Sequence, residues 1–225
     1  MKRHLFIGLA VIGLVLGLGA PALAQLTTGN ATTYVVSVTS IELCSSAACS
    51  SPAVVGSGAK DFDIASAAVG GAIGAYASTG GLPKGRTFTH IRATMSRTIR
   101  VSGNAGSPPG VTGDCITDGT AGSATAGATI TPGQAAAASN LVVPDVLSIG
   151  GVAPTAAEYA AQGLTLVDAA SMRFVAALAS PVTIGETPPS IDIAFQTRNA
   201  VGAANNGANL CLVFPQPPVS SITFN

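Results

Sequence analysis

From Ile91 to Val101 the chain alternates. Its odd positions are Ile91, Ala93, Met95, Arg97, Ile99 and Val101, while its even positions from His90 are His90, Arg92, Thr94, Ser96, Thr98 and Arg100. A period of two sends successive side chains to opposite faces of a strand, so one face is apolar and the other wet. That is the pattern of an antiparallel sheet with one side on a core. Only Arg97 breaks the apolar row, and an arginine there is expected at an edge or as the buried partner of an acid. The full strand is read as Arg86 to Val101. Shorter pieces repeat the theme: Thr33 to Leu43 is rich in β-branched residues and runs into the CSSAAC turn, and Lys60 to Ala65 sets Phe62 and Ile64 against Asp61 and Asp63. Met172 to Leu178, Ile191 to Thr197, Leu210 to Phe214 and Ser221 to Phe224 follow, separated by Gly, Pro and Asn turns. The expected fold is therefore all-β, an antiparallel β-sandwich with Greek-key-like connections.

Two stretches depart from that rhythm. One short helix is expected, with Thr155 as N-cap, Glu158 at the capping-box position and Gly163 as the stop. Between Ser102 and Ser139, Gly, Ala, Ser, Thr and Pro dominate, which predicts a long loop with weak strands such as Ala128 to Thr131, ordered in part by Cys115. Any sub-boundary falls there. Beyond it lie apolar runs at Leu141 to Val143 and Val146 to Ile149.

Lys2 and Arg3 give the chain a positive start, Leu5 to Gly19 is an apolar run, and Ala22-Leu23-Ala24 supplies the small-x-small pattern that signal peptidase reads. Residues 1–24 are expected to be a cleaved signal peptide and 25–225 a single secreted β-sandwich domain. A membrane span needs roughly 20 apolar residues, and Gly19 and Pro21 interrupt this run where a span would continue. No later stretch is long and apolar enough, so no transmembrane anchor is expected in the mature chain. Losing 24 of 225 residues leaves 201, ample for a hydrophobic core. It also leaves 8 basic against 10 acidic side chains, a formal charge of −2. That balance offers no field for nucleic acid or an anionic membrane. Charged residues are 9% of the chain, against about 25% in soluble globular proteins. Ser, Thr, Asn, Gly and Ala must then cover much of the exterior, a surface that is solvated but does little to repel a second copy of itself.

Cys44, Cys49, Cys115 and Cys211 all lie in the exported part. An even count in an oxidising compartment argues for two disulfides, with three pairings available. Cys44 and Cys49 enclose only Ser45 to Ala48, a span that a hairpin tip bridges, so they are expected to pair together and Cys115 with Cys211. Zinc is disfavoured, because one His remains after cleavage and the spacing lacks paired CxxC units.

Val36 to Leu43 (VSVTSIEL), Phe62 to Ser66 (FDIAS) and Leu82 to Arg92 (LPKGRTFTHIR) together resemble a family of bacterial exported β-sandwich domains of unknown function, transthyretin-like and often carried on lipoproteins. The resemblance covers Tyr34 to Arg92. Its most specific element is Leu-Pro-x-Gly-x-x-Phe-x-x-Ile-Arg, in which Pro83 and Gly85 make a tight turn feeding a strand. The chain departs from that pattern in lacking a lipid-attachment Cys and in carrying the C-x4-C loop. What the resemblance implies is a transthyretin-like sandwich on the cell exterior, with no catalytic residues carried across.

The chemistry-bearing residues have ordinary readings. His90 is the one His left for a Ser-His arrangement, it sits on the polar strand face, and no GxSxG elbow accompanies it. Asp61 with Asp63 could serve a glycosidase, but such a pair on a solvent-facing edge is more often solubilising. That pair, or Asp114 with Asp118, would be the place for calcium; neither has the dense D-x-D-x-D-G spacing, and no cofactor is expected. The absence of Trp, with only Tyr34, Tyr76 and Tyr159, weakens sugar binding through aromatic stacking. Lys84, Arg86, Arg92, Arg97 and Arg100 cluster in sequence and read as a solvated sheet face rather than a polyanion site. No enzyme is expected. The function expected is that of a secreted, non-catalytic structural or self-assembling cell-surface protein, a filament or matrix subunit whose partners are copies of itself. Its candidate assembly strand holds Val219, Ile222 and Phe224, because terminal strands add readily to a neighbour's sheet edge. The alternative is a monomeric extracellular binding module for a surface ligand or partner protein, working through loops at one end of the sandwich. Either would reside in the periplasm, on the cell surface or in the medium.

Overall fold

The polar lead-in Thr27–Gly29 forms strand β1, and after one residue Ala31–Cys44 forms β2. The structure, a computed structural model, describes residues 26–66, 81–119, 121–123, 126–129, 135–149, 154–186, 191–205, 210–217 and 219–224. The expected signal peptide lies outside them. In β2 the buried positions are even at Tyr34 and Val36 but odd at Ile41 and Leu43. Bulges between Val38 and Ser40 and between Ile41 and Glu42 in its pairing with β3 (Ala53–Asp63) shift that parity and keep both halves on the core.

The longest strand, β4 (Thr87–Gly106), organises the rest. It pairs with β2 along one edge from His90 to Gly103. After it come β5 (Cys115–Ile116), β6 (Ala121–Ser123), β7 (Ala126–Thr129) and β8 (Ser139–Val142). The stretch read as a long loop thus carries the end of β4 and three short strands, with a further bridge between Asp118 and Ala137. Helix α1 (Ala156–Ala161) has the expected reciprocal cap between Thr155 and Glu158, and Gly163 follows at φ 70°. The apolar run Val146 to Ile149 forms no strand: it is a turn in which Leu147 adopts a φ of 58°. Strands β9 (Leu164–Leu166), β10 (Ser171–Thr183), β11 (Ile191–Gln196), β12 (Val201–Asn205), β13 (Cys211–Pro215) and β14 (Val219–Phe224) complete the chain.

Two layers result, the all-β sandwich that the alternation predicts. One runs β3-β2-β4-β10-β9 and the other β1-β12-β13-β7-β5, joined where the end of β4 pairs with β5. Along its outer edge β4 changes partners, from β10 as far as Ser96 to β8 from Thr98. Between the layers, Tyr34, Val36, Phe62, Ile64, Ile99, Val101 and Met172 meet Val201, Ala203, Cys211 and Val213. Burying each large apolar side chain contributes about 1.5–3 kcal/mol. A second cluster, including Ile41, Leu43, Phe88, Ile91 and Leu178, fills the far end of the first layer.

Where β1 crosses the end of β4, the backbones touch. A Cβ on Gly29 would lie 1.7 Å from the Asn104 carbonyl oxygen, and one on Gly103 would lie 2.5 Å from that of Asn30. Only glycine on both sides permits this approach. Gly29→Ala is therefore expected to destabilise the chain by about 1–3 kcal/mol and to expose the β1 and β12 amides to exchange. Gly185→Ala is the control, because its Cβ would meet nothing within 4 Å. Equal melting temperatures for the two variants would refute the close approach.

Candidate functional site

The disulfides are Cys44–Cys49 and Cys115–Cys211, and no described cysteine is free. They place the folded chain in an oxidising compartment. The first closes the tip between β2 and β3, where Ser45 to Ala48 are exposed. Two arginines of β4 and the turn before it clamp this tip from below. Arg92 donates from Nη1 to the Cys49 carbonyl at 3.2 Å and from Nε to Glu42 at 2.7 Å, an ion pair with both side chains less than a fifth exposed. Its hydrogen bond to Glu42 holds the Arg92 pKa above the ordinary arginine value. Arg86 lies over the Phe88 ring and donates to the Ser45 hydroxyl and the Ser51 carbonyl. The Pro83-Gly85 turn delivers Arg86 to that place, with Gly85 at φ 75° and its N–H donating to the Ile184 carbonyl.

A second arginine cluster lies where β4 changes partners. Arg97 is 4% exposed. Its Nη2 donates to the Val143 carbonyl at 2.6 Å and to Asp145 at 2.7 Å, and its Nη1 to the Asp168 carbonyl at 3.0 Å. Of the two roles that its position on the apolar face allows, Arg97 takes the buried one and pairs with an acid, although the Asp145 carboxylate itself is exposed. Close by, the Tyr159 hydroxyl donates to the Pro144 carbonyl at 2.5 Å. The other basic residues of the cluster are also accounted for: Lys84 meets Glu186 at the surface, and Arg100 is exposed.

The carboxylates serve the backbone or neighbouring polar side chains. Asp63 accepts from the Tyr34 and Ala65 amides, and Asp61 from the Ser37 hydroxyl. Asp114 accepts from the side-chain Nδ2 of Asn104 at 3.0 Å and the Ser107 hydroxyl at 2.9 Å, which lower its pKa. Asp168 accepts from the Ala170 and Ser171 amides and is lowered likewise. Asp118 takes part in the bridge to Ala137. Among the described residues no three His, Cys, Asp or Glu side chains gather as a metal site would require. The His90 Nδ1 hydrogen-bonds to the adjacent Thr89 hydroxyl at 2.8 Å. Sequence reasoning missed Glu42, Ser45, Ser51, Asp145 and Asp168 as arginine partners; of these Glu42, Ser45 and Ser51 stood in or beside the CSSAAC turn, while Asp145 and Asp168 stood near no recognised motif.

Val219, Ile222 and Phe224 lie in β14, which pairs antiparallel with β11 from Ile191↔Phe224 to Gln196↔Val219 in a two-stranded sheet apart from the main one. The terminal strand is therefore not free; it has one partner in its own chain. No described helix is long and apolar enough to cross a membrane.

Two tyrosines give a pH signature. Tyr34 is fully buried and donates to the Gln216 carbonyl at 2.8 Å, and burial pushes its pKa up. Burial raises Tyr159 too, with Asp145 and Glu158 adding and Arg97 opposing. A phenol whose folded pKa exceeds its unfolded value near 10 contributes stability that is complete below about pH 10 and is lost as pH rises beyond it. Melting temperature is expected to hold up to about pH 10 and to fall progressively as pH rises beyond it, and the fall should shrink in Tyr34→Phe. A flat alkaline profile would contradict the burial.

No family model, curated protein or solved structure matches the chain.

Proposed function

We propose that the exported chain is a non-catalytic structural subunit of a bacterial cell surface or extracellular matrix that assembles with copies of itself. The observation that carries this reading is how its reactive groups are used. Arg86, Arg92 and Arg97 fasten loops, while Asp63, Asp114 and Asp168 cap backbone or neighbouring polar groups. Side chains committed in this way build a durable scaffold and leave little for acid–base or nucleophilic work. A surface with so few charges also offers little resistance to self-association. The fold class agrees with the transthyretin-like family it resembles over Tyr34 to Arg92, and we extend that kinship as part of the same proposal.

Electron microscopy of cells and of purified mature protein, with sedimentation over a concentration range, tests this function. Reversible growth in particle size with concentration is expected. A strictly monomeric solution at high concentration would sink it and favour a monomeric binding module instead. One feature supports that second reading: the Cys44–Cys49 tip is pre-ordered by a disulfide and two guanidinium clamps, and pre-ordered loops bind at lower entropic cost.

A further inference from the structure

The edge strands of an exported β protein are either blocked or used. Among the described residues, most edges here are blocked. Strands β1, β6 and β9 are only 3 residues long. Strand β3 is longer, but it carries Lys60, Asp61 and Asp63, and its register with β2 slips beside Gly58 at φ 99°. Beyond Phe174, where β9 ends, β10 contains Pro181 and an irregularity between Ala177 and Val182. Strand β14 has none of these devices. Its six residues, VSSITF, include no charge and no proline, and its register with β11 is unbroken. Strand β11 is as long but carries Asp192. The β11–β14 ribbon stands apart from the main sheet, and a lone two-stranded ribbon is marginally stable in water. Its neighbour in the same chain, β10, comes close without forming a ladder with it.

Building on the reading of the chain as a self-assembling subunit, we propose that the outer edge of β14 pairs antiparallel with β14 of a second copy. The product is a four-stranded sheet, β11-β14-β14-β11, across a two-fold axis. A second copy is the favoured occupant because antiparallel pairing of identical strands brings any charge near the two-fold axis close to its own duplicate, and this strand has no charge to repel. Setting Ile222 opposite Ile222 of the partner subunit places Phe224 opposite Ser220 and keeps even-numbered positions in one row, so the alternation of both copies agrees. Such an interface is closed, so this contact makes a dimer, and a filament needs a second contact elsewhere.

Sedimentation velocity across a concentration series tests the contact, using the mature chain and its Ser221→Lys and Ser221→Glu variants. The unaltered chain is expected to dimerise. Each variant alone should weaken the dimer by about tenfold or more, and an equimolar mixture should restore a heterodimer, a rescue that misfolding does not give. Should the variants fail to fold, hydrogen exchange of the unaltered chain reads the same edge, with residues 219–224 gaining protection as concentration rises. A dimer with no rescue on mixing, or with its protection gained elsewhere, overturns the β14 contact and leaves the structural reading intact. A chain that stays monomeric at the highest concentration overturns both.

Discussion

Replacing Cys115 and Cys211 together by alanine is expected to remove about 4–5 kcal/mol of stability, because cross-linking a loop of about 100 residues restricts the unfolded chain by that much. The two cysteines stand 96 positions apart with their Cα atoms separated by 5.6 Å. They belong to β5 and β13, which β7 separates in the sheet order. In a flat sheet, strands two places apart lie about 9–10 Å apart. The shorter distance means that the sheet curls there, bringing β5 against β13, and both cysteines are wholly buried within that curl. For a chain of this size the loss corresponds to a fall in melting temperature of about 10–15 °C. The Cys44–Cys49 bridge spans only 5 positions. By the same chain-entropy relation its removal is expected to remove about 2 kcal/mol, and the Arg86 and Arg92 contacts remain to hold the tip. Calorimetry of the two double variants decides the matter: a larger fall for the Cys44/Cys49 pair would reverse the assignment of which staple holds the sandwich.

The Cys44–Cys49 pair, the alternation of β4, the helix cap and the break that Arg97 makes in an apolar face were legible because each is encoded by local spacing, and Cys115–Cys211 followed as the pair left over. Cysteines five positions apart bridge a tip, a period of two gives a face, and Thr155 with Glu158 forms a cap regardless of what surrounds it. Strands β5, β6 and β12 were not legible, and β7 was only partly anticipated by the weak strand read at Ala128 to Thr131. Strands β6, β7 and most of β12 are built from small residues, whose sizes and polarities are too alike for alternation to mark an inner face, and β5 is only two residues long. What seats β12 is close approach rather than hydrophobic contrast: a Cβ on Gly202 would lie 2.4 Å from the Phe214 ring, and Val201 presses on Gly103. The arginine clamps were hidden for another reason. Arg86 reaches Ser45 and Ser51 across 41 and 35 positions, and no pattern in either segment announces the other. Strands β11 and β14 were both readable from their alternation, but their pairing with each other was not, since pairing between distant strands leaves no local trace.

Arg97→Met is expected to destabilise the fold by about 3–4 kcal/mol, even though methionine suits the apolar face in shape, since each buried acceptor left without a donor forfeits about 1–3 kcal/mol. The reason lies in what the guanidinium holds. Its side chain bonds the carbonyls of Val143 and Asp168, while its backbone N–H donates to Ala170 and its carbonyl accepts from Val143. One residue thereby fastens both the segment leaving β8 and the β9–β10 turn to β4, at the point where β4 exchanges one neighbour for another. Lysine cannot substitute, because a single ammonium lacks the planar fork that reaches three acceptors. The ion pair itself contributes little: Asp145 has 73% of its side chain exposed, and an exposed pair is worth at most about 1 kcal/mol. Asp145→Asn should therefore be nearly silent. The two mechanisms separate under salt, which screens charge but leaves hydrogen bonds to buried carbonyls in place. Urea unfolding should give the same large difference between Arg97→Met and the parent at low and at high ionic strength, with accelerated amide exchange confined to residues 143–149 and 164–171. If high salt erases the difference, or if Asp145→Asn reproduces it, the clamp works through charge, and the carbonyls that Arg97 gathers are bystanders.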